Sequence, residues 1–317
     1  MYSPRLFQGM MRDAQRVRAY SEALREAITP DSIVLDLGAG PGLFSLMACA
    51  FGAKKVYAIE FDPSVRYLRD LAIENGFGDR IVTFEDHSKN VTLPERADVL
   101  VTDIRGSLPF FGDSIQTLAD ARARHLTPDA RFIPKEDVIR GAVLSAADIY
   151  DSLAGPFPFG PSPSLGALVS ASCNAVHAVR GDEVSPDQIV STEEPLFRID
   201  YRTIAPRVES GAATLTIHRE GPAHGLCLYF DAHTSDNHRY TSRPGNRSVH
   251  GSTFFPWERA VNVRSGYIVK IDVWANPRKD SYLWGWNTRV ERGGVAIAEF
   301  RQSTFLSEPM DNPIKNV

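Results

Sequence analysis

The chain has 317 residues, 43% of them hydrophobic and 23% charged, with a net charge of −4 and an isoelectric point near 6.1. That composition excludes a disordered chain and offers no global attraction for nucleic acid or an anionic membrane. Three widely spaced cysteines, Cys49, Cys173 and Cys227, argue against a disulfide framework or a zinc site, and no apolar run reaches the ~18 residues of a membrane span, so the expectation is a cytoplasmic protein without metal, signal peptide or membrane segment.

Residues 8–28 read as one amphipathic helix, with Met11, Val17, Tyr20 and Leu24 on a broad apolar face and Pro30 ending it. The apolar run 33–37, which contains Asp36, then breaks into Gly38-Ala39-Gly40-Pro41-Gly42 before a helix over 43–51. Glycines let the backbone approach a ligand where a Cβ would collide, and the helix start turns its N–H groups toward that ligand. A glycine run alone is also an ordinary strand-to-helix turn. Here, however, strand 56–59 follows and ends in Glu60, about 20 residues on, placed to accept ribose hydroxyls as in adenosine-binding doubly wound sheets.

Helix 63–75, strand 81–84, strand 99–103 and helix 115–125 continue the alternation of a parallel sheet covered by helices. Asp36, Glu60, Asp86 and Asp103 all fall at or near C-terminal strand ends, where such sheets bind ligands. Past Pro134 the helical period gives way to short alternating runs at 138–144, 196–201, 213–218, 226–231, 267–273 and 295–300, which predict an antiparallel barrel or sandwich. The expected organisation is therefore an α/β domain over 1–134 and a β domain over 135–317. A proline-rich stretch at 155–163 and the apolar run after it predict a projecting arm around 153–185.

The acidic residue two positions before the first glycine, in an Asp-x-Gly-x-Gly-x-Gly pattern, resembles motif I of class I methyltransferases, which bind S-adenosylmethionine (SAM). The wider layout looks like the protein arginine methyltransferase family. Met10-Met11-Arg12-Asp13-Ala14-Gln15-Arg16 with Tyr20 is similar to that family's first-helix motif, and 51–58 is close to its stretch leading to the ribose carboxylate. The resemblance implies a SAM-binding Rossmann-like domain, a β-barrel with an inserted dimerisation arm, and a homodimer. It gives Arg16 the cofactor carboxylate, a role that suits a planar guanidinium. Asp36, Gly38, Gly40, Gly42 and Glu60 form the rest of the cofactor set, while Asp86 or Ser88 receives the adenine amino group or simply caps a loop.

The loop after Asp103 departs from the family pattern. Where arginine methyltransferases carry two glutamates that grip a guanidinium, this chain has Asp103 and Gly112, with Asp113 as the nearest acid and Arg105 adding a cation between them. A cation there repels a cationic acceptor, so the reading at this stage is methyl transfer to N or O of a small molecule or modified amino acid, with Arg105 fixing an anionic group of the acceptor. An alternative keeps arginine in a peptide or protein as acceptor, with Asp113 in place of the missing glutamate. A third reading is a SAM-binding interaction protein whose catalytic loop has decayed. His250, in Val249-His250-Gly251, stands where the family has a Thr-His-Trp signature. It joins Asp103 and Asp113 as a candidate proton acceptor or as a structural histidine.

Overall fold

The computed structural model describes residues 3–155, 164–279 and 281–307. Its first part alternates helices and strands: α1 (Pro4–Met11), α2 (Ala14–Ala27), β1 (Ile33–Leu37), α3 (Leu43–Ala50), β2 (Lys55–Glu60), α4 (Val65–Glu74), β3 (Ile81–Glu85), β4 (Ala97–Thr102), α5 (Ser114–His125) and β5 (Leu126–Ile133). The five strands pair in parallel in the order β3-β2-β1-β4-β5. The chain reverses its direction of travel across the sheet at β1, which opens a crevice above the C-terminal ends of β1, β2 and β4. Val34, Leu35, Val56, Ala58, Leu100 and Val101 are buried, as strands covered by helices on both faces require.

The single helix expected over 8–28 is two. Asp13 sits between them with its side chain accepting from the Arg16 N–H at 3.1 Å, so it caps α2 instead of continuing α1. The apolar period runs through the break, although only α2 buries its apolar side, and in α1 Phe7, Met10 and Met11 are half-buried. Phe7 of α1 reaches the glycine turn, and Tyr20 and Leu24 of α2 are fully buried.

The second part is antiparallel. Strand β6 (Glu136–Leu144) is followed by α6 (Ala147–Ala154), α7 (Gly166–Cys173), β7 (His177–Val179) and β8 (Glu194–Asp200). Then come β9 (Glu209–Thr216), β10 (Gly221–His233), β11 (Arg239–Thr241), β12 (Ser252–Val263), β13 (Ile268–Pro277), β14 (Tyr282–Arg292) and β15 (Val295–Ser303). One sheet runs β7-β12-β10-β6-β8 with β11 on β10, and the other runs β15-β14-β13-β9. Their inner faces meet through Phe255 of β12, which lies edge-on to Trp284 and Trp286 of β14 at 5.4 and 5.1 Å. The Ser191–Ile217 bridge also links the two sheets.

Strands β12 and β14 were not singled out from the sequence, because both faces of their centres are covered. Phe254 and Phe255 are adjacent and both fully buried, so no clean alternation survives. The proline-rich part of the expected arm, residues 156–163, lies outside the described residues. Helix α7, beyond it, ends against β15, where the Gln302 amide donates to the Cys173 carbonyl and the Ser303 N–H donates to Asn174. Helix α2 stands between the two domains, touching the β10–β11 connection where Thr234 donates to the Ala19 carbonyl at 2.9 Å.

Candidate active site

At the end of β1 the chain turns through three glycines whose φ values are +74°, +54° and +85° at Gly38, Gly40 and Gly42. A side chain is strained in that left-handed region. Space forbids one as well, since a Cβ at Gly38 would stand 2.2 Å from Ile104 and one at Gly42 would stand 2.2 Å from Leu68. The turn is fixed from β2. Glu60 accepts from the Gly40 N–H at 2.9 Å with one oxygen and from the Asp62 N–H at 2.8 Å with the other. Burial pushes the Glu60 carboxyl above its ordinary range, while those backbone donors pull it back.

Asp36 lies beneath the turn. It is fully buried, its carboxyl accepts from the Ser45 hydroxyl at 2.6 Å, and desolvation raises it to about 7. It therefore ties β1 to α3 and has no open face for a cofactor, which corrects the direct contact expected from sequence. Asp86 is exposed and accepts from the His87 N–H and the Asn90 amide, so its carboxylate closes a turn. Ser88 is buried in the short turn that follows, with its carbonyl accepting from Arg124.

The loop after β4 meets α2 and the antiparallel domain at Asp103. Arg16 donates to Asp103 Oδ2 at 2.7 Å, Arg105 Nε stands 3.1 Å from Oδ1, and the Tyr20 hydroxyl lies 3.1 Å from Oδ1. His250 Nε2 lies 3.3 Å from the same carboxylate, and Nδ1 lies 3.1 Å from the Gly106 carbonyl. Both ring nitrogens face oxygen acceptors. Burial alone would raise the Asp103 carboxyl, but His250, Arg16 and Arg105 hold it well below the usual carboxylate range.

Arg105 does not reach outward, contrary to the role expected for it. Its side chain is 4% exposed, and Nη1 donates to both oxygens of Asp137 at 2.6 and 2.7 Å. Nη2 donates to the Tyr20 hydroxyl at 2.5 Å, and the rings of Phe230, Tyr240 and Tyr201 surround the group at 5.1, 5.8 and 5.9 Å. With every arm of its fork used, it has no donor to offer an anionic acceptor. Asp113 also stands apart, exposed at the start of α5, while Gly112 before it has φ +53° and open space where a Cβ would project.

The profile of the ribosomal protein L11 methyltransferase (PrmA) family matches residues 20–134. A protein arginine N-methyltransferase 1 from Chlamydomonas reinhardtii is 28% identical over 271 residues, covering 81% of this chain and 74% of that one. The mouse protein arginine N-methyltransferase 2 is 28% identical over 234 residues, 71% of this chain but 52% of its own length. Among solved structures, the Trypanosoma brucei PRMT1 enzyme–prozyme heterotetramer with AdoHcy superposes with a TM-score of 0.82 at 20% identity, over 94% of this chain and 96% of that one. The chain is a SAM-dependent methyltransferase, similar in sequence and in fold to protein arginine methyltransferases.

In this methyltransferase the crevice residues fit SAM. Arg16 is buried with its Nε unpartnered, and the Tyr240 hydroxyl is buried without a partner beside it. Glu60 and the glycine turn supply a carboxylate and close backbone approach. When bound, SAM supplies an electrophilic methyl group on a sulfonium. The chain's own task is to hold the acceptor atom in line and to receive its proton.

Asp137, Tyr201 and Tyr240 are part of this methyltransferase's site and were not found from sequence. They come from β6, the turn after β8 and β11, and nothing local marks them. The one available signal was the charge of Arg105, since a cation in an apolar loop demands a buried counter-charge somewhere.

Proposed function

We propose that this chain methylates the guanidinium of an arginine side chain in a peptide or protein. The observation that carries this reading is the Asp103 carboxylate, held ionised at the end of β4 beside the glycine turn. Arg105, which argued against a cationic acceptor from sequence, is neutralised by Asp137. Asp103 accepts from Arg16 and Tyr20 and faces Arg105 and His250, so a guanidinium nitrogen orients on it by taking the place of one of these donors. The names of the curated relatives support the same acceptor.

A second reading, a small neutral acceptor at N or O, is favoured by one feature. Gly112 supplies no second carboxylate, and Asp113 is turned out at the helix start. Incubating the chain with labelled SAM and either arginine peptides, free arginine or a metabolite panel separates the two. Label on the arginine peptide supports the first reading, and label confined to a metabolite overturns it.

We further propose residues 1–134 as the cofactor domain, 135–317 as the acceptor domain, a cytoplasmic location and a homodimer built on the α6–α7 region. Exposed Leu168 on α7 supports the dimer, and three free, buried cysteines suit a reducing compartment. A monomer in light scattering at micromolar concentration counts against the dimer.

A further inference from the structure

We propose that the groove bordered by the last turn of α2, by β5 and by the β10–β11 connection is a second ligand site, built for a small molecule that carries linked phosphate groups. The site is independent of the acceptor reading above.

The groove encloses about 820 Å³, within the roughly 300–1,000 Å³ that small-molecule sites span. It lies away from the cofactor crevice. Arg16 is in the first turn of α2, whereas Glu26 and Ala27 in the last turn line the groove, about 15 Å along the helix.

Charge sets the kind of ligand. Five cations line the groove against three acids, a positive surplus in a chain whose net charge is −4. Lys135 pairs with Asp236 and Arg202 with Asp200, while Glu26 accepts from the Asn237 amide at 2.9 Å and faces His238 at 3.0 Å. Arg96, Arg122 and Arg131 are left with no carboxylate partner among the described residues. Each is held through Nη1 by carbonyl oxygens instead: Arg131 by Ala27 at 2.8 Å, Arg122 by Arg202 and Ile204 at 3.0 and 2.8 Å, and Arg96 by Leu126.

Those anchors do not use up the charge. A helix C-terminus carries about half a negative charge, so a whole guanidinium at the end of α2 and another at the end of α5 leave a surplus. The anchors also fix each guanidinium while Nε and Nη2 stay without a partner among the described residues. Nε and Nη2 share the edge that grips a phosphate by two parallel hydrogen bonds. The groove is far larger than one phosphate, and exposed Ala123 and Pro128 offer apolar contact to the rest of the ligand.

Calorimetry on the full chain tests this at about 150 mM salt, where attraction beyond about 8 Å is screened. Tripolyphosphate and ATP are the probes, titrated with SAM saturating the crevice so that adenosine binding there does not count. A glutamate-rich peptide represents the competing class. Saturable binding of a phosphate probe, one per chain, is expected with a Kd below about 1 mM. Equal affinities identify the phosphate chain as what is recognised, and tighter ATP shows that the nucleoside is read as well.

Arg122→Gln/Arg131→Gln is expected to weaken binding about tenfold or more. Arg180→Gln/Arg207→Gln removes the same charge from exposed ion pairs elsewhere and is expected to change it less than about twofold. Arg131→Lys keeps the charge and loses the paired edge, so it weakens binding about threefold or more without the loss of a cation. Arginines that only brace carbonyls predict lower melting temperatures in the groove variants and no phosphate signal in any form. That result, equal weakening in the control pair, or tighter binding of the glutamate-rich peptide than of either phosphate probe overturns the proposal.

Discussion

Asp13 joins the first turn of α2 to the loop that carries His250. One carboxylate oxygen accepts from the Arg16 N–H at 3.1 Å, and the other accepts from the Val249 N–H at 3.0 Å. The same residue therefore sets the direction of Arg16, through the helix start, and the position of His250, through its neighbour. Asp13→Ala is expected to cost about 1–2 kcal/mol from the lost cap and to lower methyl transfer more than that loss of stability accounts for. Chemical denaturation and turnover measured together check this. A variant that loses stability but keeps wild-type turnover refutes the link between the two loops.

Glu60 holds the glycine turn before any ligand arrives, through Gly40 and Asp62. Removing its carboxylate in Glu60→Ala takes away both the ribose acceptor and the clamp on the turn. A lost hydrogen bond to a charged group is worth about 1.5–3 kcal/mol, so SAM affinity by calorimetry is expected to fall roughly 10- to 100-fold. An unchanged affinity, with the fold intact by circular dichroism, removes Glu60 from the cofactor site.

Legibility from sequence followed the range of the interactions. The glycine turn, Glu60 and the parallel strands were readable because each rests on neighbours in the chain: a φ that only glycine tolerates, a strand period, a carboxylate at a strand end. The split of residues 8–28 was missed because the apolar period crosses it, and only the Asp13 cap reveals the break. Arg105 was misread for a different reason. Its charge was visible, but its partner Asp137 lies 32 positions away on another sheet, and such pairings leave no local trace.

Asp36 makes stability depend on pH in an unusual direction for a carboxyl. Its pKa in the folded chain is raised to about 7, because burial outweighs the Ser45 hydrogen bond, whereas the unfolded side chain titrates near its ordinary 3.8. The folded state thus binds more protons between those values. The contribution is fully present below about pH 4 and is lost as pH rises through 7, amounting to at most about 4 kcal/mol. Asp36→Asn keeps the contact with Ser45 and cannot ionise. Its stability by urea denaturation is expected to change less between pH 5 and pH 8 than the wild type's; parallel curves for the two proteins refute the assignment.

Gly112 offers a gain-of-function test of the acceptor. A Cβ placed there meets no atom within 4 Å, so a side chain has room, and the cost comes from its φ of +53°. That left-handed conformation costs a non-glycine residue about 1–2 kcal/mol, which a thermal melt will register. If the acceptor is an arginine side chain, Gly112→Glu adds a second carboxylate to the loop that carries Asp103, and attraction to a guanidinium rises. The expected outcome is a kcat/KM for an arginine peptide several-fold above wild type, driven by a lower KM, in spite of the small loss of stability. A small neutral acceptor gains nothing from the added charge and loses the space above Gly112, so its turnover falls. The sign of the change on an arginine peptide therefore tests the acceptor through a residue independent of the Arg105–Asp137 pair.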